Sequence, residues 1–187
     1  MNITPQPGQC LAVIGNTELA KAIDLFEILQ EFKEGEKCQY KINHIAGIIT
    51  DKNGILSVCE CLANGVTITP WTESEYFRNE KQYLLIDYIV ELNSLEKLNF
   101  VCWGRDNEGK GYDFIGIGFQ ILFTVFGWWL RPKNDNPNRY YCSEFWAKCL
   151  NNIKGWFKKW YLTNPQMFFE SDVVKVIGAN FELKKNN

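Results

Sequence analysis

Residues Tyr140 to Tyr161 read YYCSEFWAKCLNNIKGWFKKWY. Trp146, Cys149, Leu150, Ile153, Phe157 and Trp160 recur at steps of three and four, which predicts an amphipathic helix with one apolar face. Cys142 stands four residues before Trp146 on that same stripe, in the first turn. Just upstream, Arg131 to Arg139 carries Pro132 and Pro137 and no apolar residue at helical spacing, so a turn or loop is expected there. A thiol in the first turn of a helix lies near unpaired backbone N–H groups and the positive end of the dipole, and both favour thiolate. Free cysteines are more often small core residues than nucleophiles, so position alone does not assign Cys142 a role.

The chain around this stretch has 187 residues, enough for one domain, residues 1–187, with a sizeable core. Hydrophobic content of 46% and charged content of 22% describe a folded chain rather than a disordered one. A net charge of -2 leaves no basic surplus for nucleic acid. Met1-Asn-Ile-Thr-Pro5 lacks a basic stretch followed by an apolar one, so no secretory signal is expected. Seven cysteines without scaffold spacing suit free thiols in a reducing, cytoplasmic compartment. Cys59 and Cys61 form the only close pair, and with one histidine in the chain no zinc quartet assembles; neither metal nor cofactor is expected.

Reading from the N-terminus, Gln9 to Ile14 predicts a buried strand. Asn16 can cap a helix running through Phe26 and Phe32 to Gly35. Ile42 to Thr50 and Ile55 to Thr69 are two extended runs joined by Asp51-Lys-Asn-Gly54, a hairpin signal. A strand is expected around Tyr83 to Ile89 with a helix or turn after it, a short strand at Phe100 to Trp103, and a loop at Gly104 to Gly111. Phe114 to Leu130 is seventeen residues without a charge, at the lower edge of what spans a bilayer; Gln120, Thr124 and three glycines favour a buried helix instead. A short helix after Asn164-Pro165 and a last strand, Val173 to Ile177, complete the chain. The reading is α+β.

A cysteine nucleophile needs a base, and the base needs a third group to hold its ring. His44 is the one histidine, so it is the base or there is no Cys-His pair. Strand parity points to the third group: Leu56, Val58, Glu60 and Leu62 share a face that should be buried, where an unpaired carboxylate is costly. If Lys52-Asn53-Gly54 is a three-residue loop with Gly54 left-handed, facing residues sum to an even number and Glu60 is a diagonal neighbour of His44. A two-residue Asn53-Gly54 loop would put them on opposite faces.

These residues, in order, resemble a known family. Asn43-His-Ile-Ala-Gly-Ile48, Val58-Cys-Glu-Cys61, Tyr112-Asp-Phe114 and Tyr141-Cys-Ser-Glu-Phe145 are similar to the motifs of the permuted papain-like hydrolases of the YaeF/YiiX type, relatives of NlpC-type amidases. Pro7-Gly-Gln9 resembles the family's Pro-Gly-Asp element, with Gln9 in place of the acid, and Asn164-Pro165 with Ser171 its last block; Cys61 stands where alanine is common. The resemblance implies a circularly permuted papain-like (NlpC-like) fold, an antiparallel sheet packed against the helix that carries the nucleophile. It also implies Cys142 as nucleophile, His44 as general base and then acid, and Glu60 as the orienting group. The implied activity is a cysteine peptidase or amidase acting on a peptide or peptidoglycan-like amide. Two rivals remain at this stage. One is a lipid-directed thioesterase or acyltransferase of the same fold, with Phe114 to Leu130 as an acyl surface; such relatives typically carry a second histidine, which this chain lacks. The other is an inactive binding module.

Overall fold

In the first described strand, Cys10–Ile14, every second residue faces the same side, and so it continues across its neighbours. The computed structural model describes residues 4–14, 40–113 and 138–181. In chain order its elements are β1 (Cys10–Ile14), β2 (His44–Thr50), β3 (Leu56–Leu62), β4 (Gly65–Pro70), β5 (Gln82–Tyr88), α1 (Ser94–Asp106), β6 (Gly111–Tyr112), β7 (Arg139–Tyr140), α2 (Cys142–Lys154), α3 (Pro165–Phe169) and β8 (Val174–Ala179). Strands β4-β3-β2-β1-β5-β8 form one sheet in which every neighbouring pair is antiparallel. β6 and β7 make a small parallel pair.

The period-two pattern divides the core into two. Cys10, Ala12, Ile45, Ile49, Cys59 and Cys61 face the layer that holds α1 and α2, where Phe100, Phe145, Trp146 and Leu150 are buried. Leu11, Val13, Ala46, Ile48, Val58 and Leu85 face the other side, under Trp71, Tyr76 and Tyr83. The expected β1, β2, β5 and final strand are present, the last as Val174–Ala179, with α3 started by Pro165 and capped by Asn164, whose Oδ1 accepts from Met167 N at 2.7 Å.

Four readings are corrected. Phe100 to Trp103 is helical, not a strand: Asn93 and Glu96 form a reciprocal cap (Glu96 N to Asn93 Oδ1 3.0 Å, Asn93 N to Glu96 Oε2 2.8 Å), and Phe100 stacks on Trp146 at 4.5 Å. The loop expected from Gly104 therefore starts only at Asn107. Ile55 to Thr69 is two strands, since Ala63-Asn64 turns the chain and Gly65 takes φ +106°. Helix α2 stops at Lys154, before Phe157 and Trp160, because Gly155 adopts the left-handed C-cap (φ +72°). Phe157 and Trp160 still pack against the same core, from the turns beyond. The helix expected after Asn16, Cys38, Phe114 to Leu130 and the loop through Pro137 lie outside the described residues. Among those described, no helix is long and apolar enough to cross a membrane.

Candidate active site

The β2–β3 hairpin brings His44 to Glu60. Its loop is Lys52-Asn53-Gly54: Asp51 N donates to Ile55 O (2.8 Å), Gly54 sits at φ +79°, and Asp51 Oδ1 accepts from Asn53 N (2.8 Å) and Ile55 N (2.9 Å). Arg105 of α1 pins the same corner, Nε to Thr50 O at 2.7 Å and Nη2 to Asp51 O at 2.6 Å. Thr50 then faces Leu56 and Ala46 faces Glu60, the even register. His44 lies two residues along from Ala46 on the same face, and its Nε2 is 3.0 Å from Glu60 Oε2. Glu60 is buried, and the same Oε2 accepts the Tyr76 hydroxyl at 2.7 Å.

Cys142 is the first residue of α2, and Tyr141 is its N-cap position. Tyr141 N donates to Glu144 Oε2 (3.2 Å), and Ser143 Oγ donates to Thr163 O (2.7 Å), so the first turn is tied both to itself and to the following chain. What sets the helix close to β2 is Gly47. A Cβ there would lie 2.2 Å from Trp146 Cζ2, so only glycine lets the indole rest on the strand backbone. That contact carries the helix start to the head of β2. The Cys142 sulfur accepts from the backbone N–H groups of Ile45 and Ser143 and hydrogen-bonds His44. With Nε2 taken by Glu60, Nδ1 is the nitrogen left for the thiol.

Charge follows from this geometry. Burial acts to depress the His44 imidazolium, but the Cys142 thiolate beside it and Glu60 behind it prevail, and its pKa is raised to about 10. Burial would raise the Cys142 thiol, and His44 with the two backbone N–H groups holds it below its ordinary value. Burial would likewise raise Glu60, and the hydrogen bonds from His44 and Tyr76 keep it below the usual carboxylate range. Among the described residues five cysteines are buried and free. Burial pushes Cys10 up to about 12 and raises Cys59, Cys61 and Cys149; Cys142 alone of the five goes down. The arrangement favours a proton on the ring over one on sulfur, with a carboxylate behind the ring.

The structure thus brings Cys142, His44 and Glu60 together. The Tyr141 hydroxyl donates to Tyr161 O (3.1 Å), and Tyr140 packs edge-on to Trp103 and Phe145. Gln9 closes its turn by accepting from Gln6 N (2.8 Å) and reaches Asp87 Oδ2 (3.0 Å). Two residues carried no signal in the sequence. Tyr76 lies in a turn segment without periodicity, and Gln166 receives Ile42 N at 2.8 Å, guiding the chain into β2.

No protein-family model matches the chain, and no curated protein matches it. Among solved structures, the crystal structure of the metalloprotein yiiX from Escherichia coli O157:H7 is similar with a TM-score of 0.64 and 17% identity, over 95% of this chain and 99% of that one. The chain has the yiiX fold. "Metalloprotein" is said of that protein. Here, among the described residues, no group of three His, Cys, Asp or Glu side chains could hold a metal ion, and both His44 nitrogens are engaged by side chains, so these residues do not fit one.

Proposed function

We propose that this protein is a cysteine-dependent hydrolase that cleaves an amide bond, of a peptide or peptidoglycan-like substrate, through Cys142, His44 and Glu60. One observation supports this above the others: the thiol at the start of α2 shares a hydrogen bond with His44, whose other nitrogen is held 3.0 Å from a buried carboxylate. That is the nucleophile, base and orienter order that acyl transfer needs. The two strands bearing His44 and Glu60 precede the helix bearing Cys142, the chain order expected of a circularly permuted papain-like fold.

In the proposed reaction the Cys142 thiolate attacks the carbonyl carbon, forming a C–S bond and a tetrahedral oxyanion. The Cys142 backbone N–H, one of the first-turn donors with no acceptor inside the helix, faces that oxygen. The intermediate collapses, the C–N bond breaks, and the His44 imidazolium gives its proton to the departing amine. Neutral His44 then takes a proton from water as the water attacks the thioester, and the acid product leaves with the thiolate–imidazolium pair restored. Glu60 stays ionised and stabilises the imidazolium in both half-reactions.

Iodoacetamide labelling at pH 6.5 with mass-spectrometric mapping tests this without a known substrate. Cys142 should be carboxamidomethylated fastest of the seven cysteines. Cys142 inert while Cys102 or Cys38 reacts would place the chemistry elsewhere.

A further inference from the structure

We infer that Tyr76 is a positioning residue of this site, its hydroxyl fixing the Glu60 carboxylate so that the oxygen facing His44 stays aligned with the ring. The inference rests on the proposed hydrolase reading and adds to it a fourth member that acts through Glu60, not on the reacting atoms.

The last torsion of a glutamate is broad, so a single hydrogen bond from a histidine leaves the carboxylate free to rock. Here one oxygen, Oε2, takes two donors from different parts of the chain: His44 Nε2 at 3.0 Å and Tyr76 Oη at 2.7 Å. Two donors on one oxygen define the carboxylate's orientation in a way that either alone does not. Tyr76 is itself rigid. It is 1% exposed, its ring meets Tyr83 edge-on at 5.9 Å, and Lys81 Nζ lies 5.5 Å from the ring centre. A hydroxyl buried this deeply needs an acceptor, and Glu60 is the one it has.

The charged neighbourhood suits a permanent donor. The groups that act on Tyr76 are Glu60, Glu75 and Cys142, with Lys81 above its ring and paired to Glu75. Burial first, and the Glu60 charge second, raise the Tyr76 phenol well above its ordinary value, so it keeps its proton wherever the site works. Lys81 also favours the ionised form of Glu60.

Two readouts test this without a substrate. The first is the rate of Cys142 alkylation across pH. The second uses the chain's single histidine, whose ring signals in protein labelled with 15N-histidine need no assignment. Tyr76→Phe keeps the ring and removes the hydroxyl. It should slow Cys142 alkylation roughly 3- to 30-fold, less than the ~10- to 150-fold that a hydrogen bond to a charged group is worth because Tyr76 acts only through Glu60, and move the acid limb of the rate profile upward. The His44 Nε2–H resonance should move upfield. In a Glu60→Gln background, where there is no carboxylate to orient, the same substitution should add less than about twofold. Multiplicative losses, or an alkylation rate equal to the parent's, would overturn the role. Should Tyr76→Phe not fold, Glu60→Gln alone decides: the Tyr76 hydroxyl proton must move upfield, and an unmoved proton refutes the link. A parent whose Cys142 is not the fastest thiol fails the hydrolase reading itself, which separates the two failures.

Discussion

At the scale of residues, the proposed chemistry predicts an asymmetry among three substitutions. Cys142→Ala should abolish turnover, since no other group can accept the acyl chain. His44→Ala should cost nearly as much, because both thiolate formation and leaving-group protonation pass through it. Glu60→Gln keeps shape and one acceptor but loses the charge behind the imidazolium, and should lower the rate roughly 10- to 1000-fold. Hydrolysis of a generic thioester or amide probe, followed beside thermal unfolding to exclude collapse of the buried site, measures all three; equal and small losses would assign the chemistry to other residues. Glu60 was legible in the sequence because a carboxylate among Leu56, Val58 and Leu62 on a strand face demands a partner, and a three-residue hairpin loop puts His44 on that face. Tyr76 was not legible. Its hydroxyl reaches Glu60 from a turn, where no period constrains side-chain direction, and a buried tyrosine reads as packing until its oxygen has an address.

At the scale of elements, the site depends on how closely α2 approaches β2, and that is set at Gly47. Within the stretch Asn43 to Ile48 the glycine looked like part of a motif; its physical task is to leave room for Trp146, which is sandwiched onto Phe100 of α1. Gly47→Ala should therefore destabilise the protein by about 1 to 3 kcal/mol, the usual cost of overpacking a dense core. Because Trp146 and Cys142 are one helical turn apart, the displaced helix should also part Cys142 from His44. Urea unfolding and Cys142 alkylation should thus fall together in this variant, and a variant with normal stability and normal alkylation would show that the helix has slack the packing does not suggest. The hairpin loop was readable because Asp51 and Gly54 are turn residues with specific backbone demands. The segment at Phe100 was misread because Phe, Val, Cys and Trp in sequence favour extended chain locally, while the cap at Asn93 and the stack on Trp146 decide for helix from outside the segment.

At the scale of the whole molecule, two pairings in the sheet join strands far apart in sequence: β1 sits between β2 and β5, and β8 closes the edge beside β5. Such pairings leave no local trace, which is why the β2–β3 hairpin could be read in the sequence but the places of β1, β5 and β8 could not. The same assembly buries the Cys142–His44 pair, and that has a consequence for stability against pH. His44 is raised from an ordinary 6.5 to about 10, so its contribution is full below pH 6.5 and is lost as pH rises toward 10. Cys142 is lowered from an ordinary 9.0, so its contribution is full above pH 9 and is lost as pH falls through its folded value. Below pH 9, and above both 6.5 and the lowered value of the folded thiol, the unfolded pair holds one proton, on sulfur, and the folded pair holds one, on the ring; the two slopes cancel. The pair's part of the stability should therefore be level across that window and fall toward alkali, as the unfolded thiol ionises before the folded imidazolium gives up its proton. Urea midpoints measured at half-unit steps from pH 5 to 10.5 check this against the His44 ring signals. A ring that loses its proton near 6.5 in the folded protein would mean that no ion pair forms, and the level window would vanish with it.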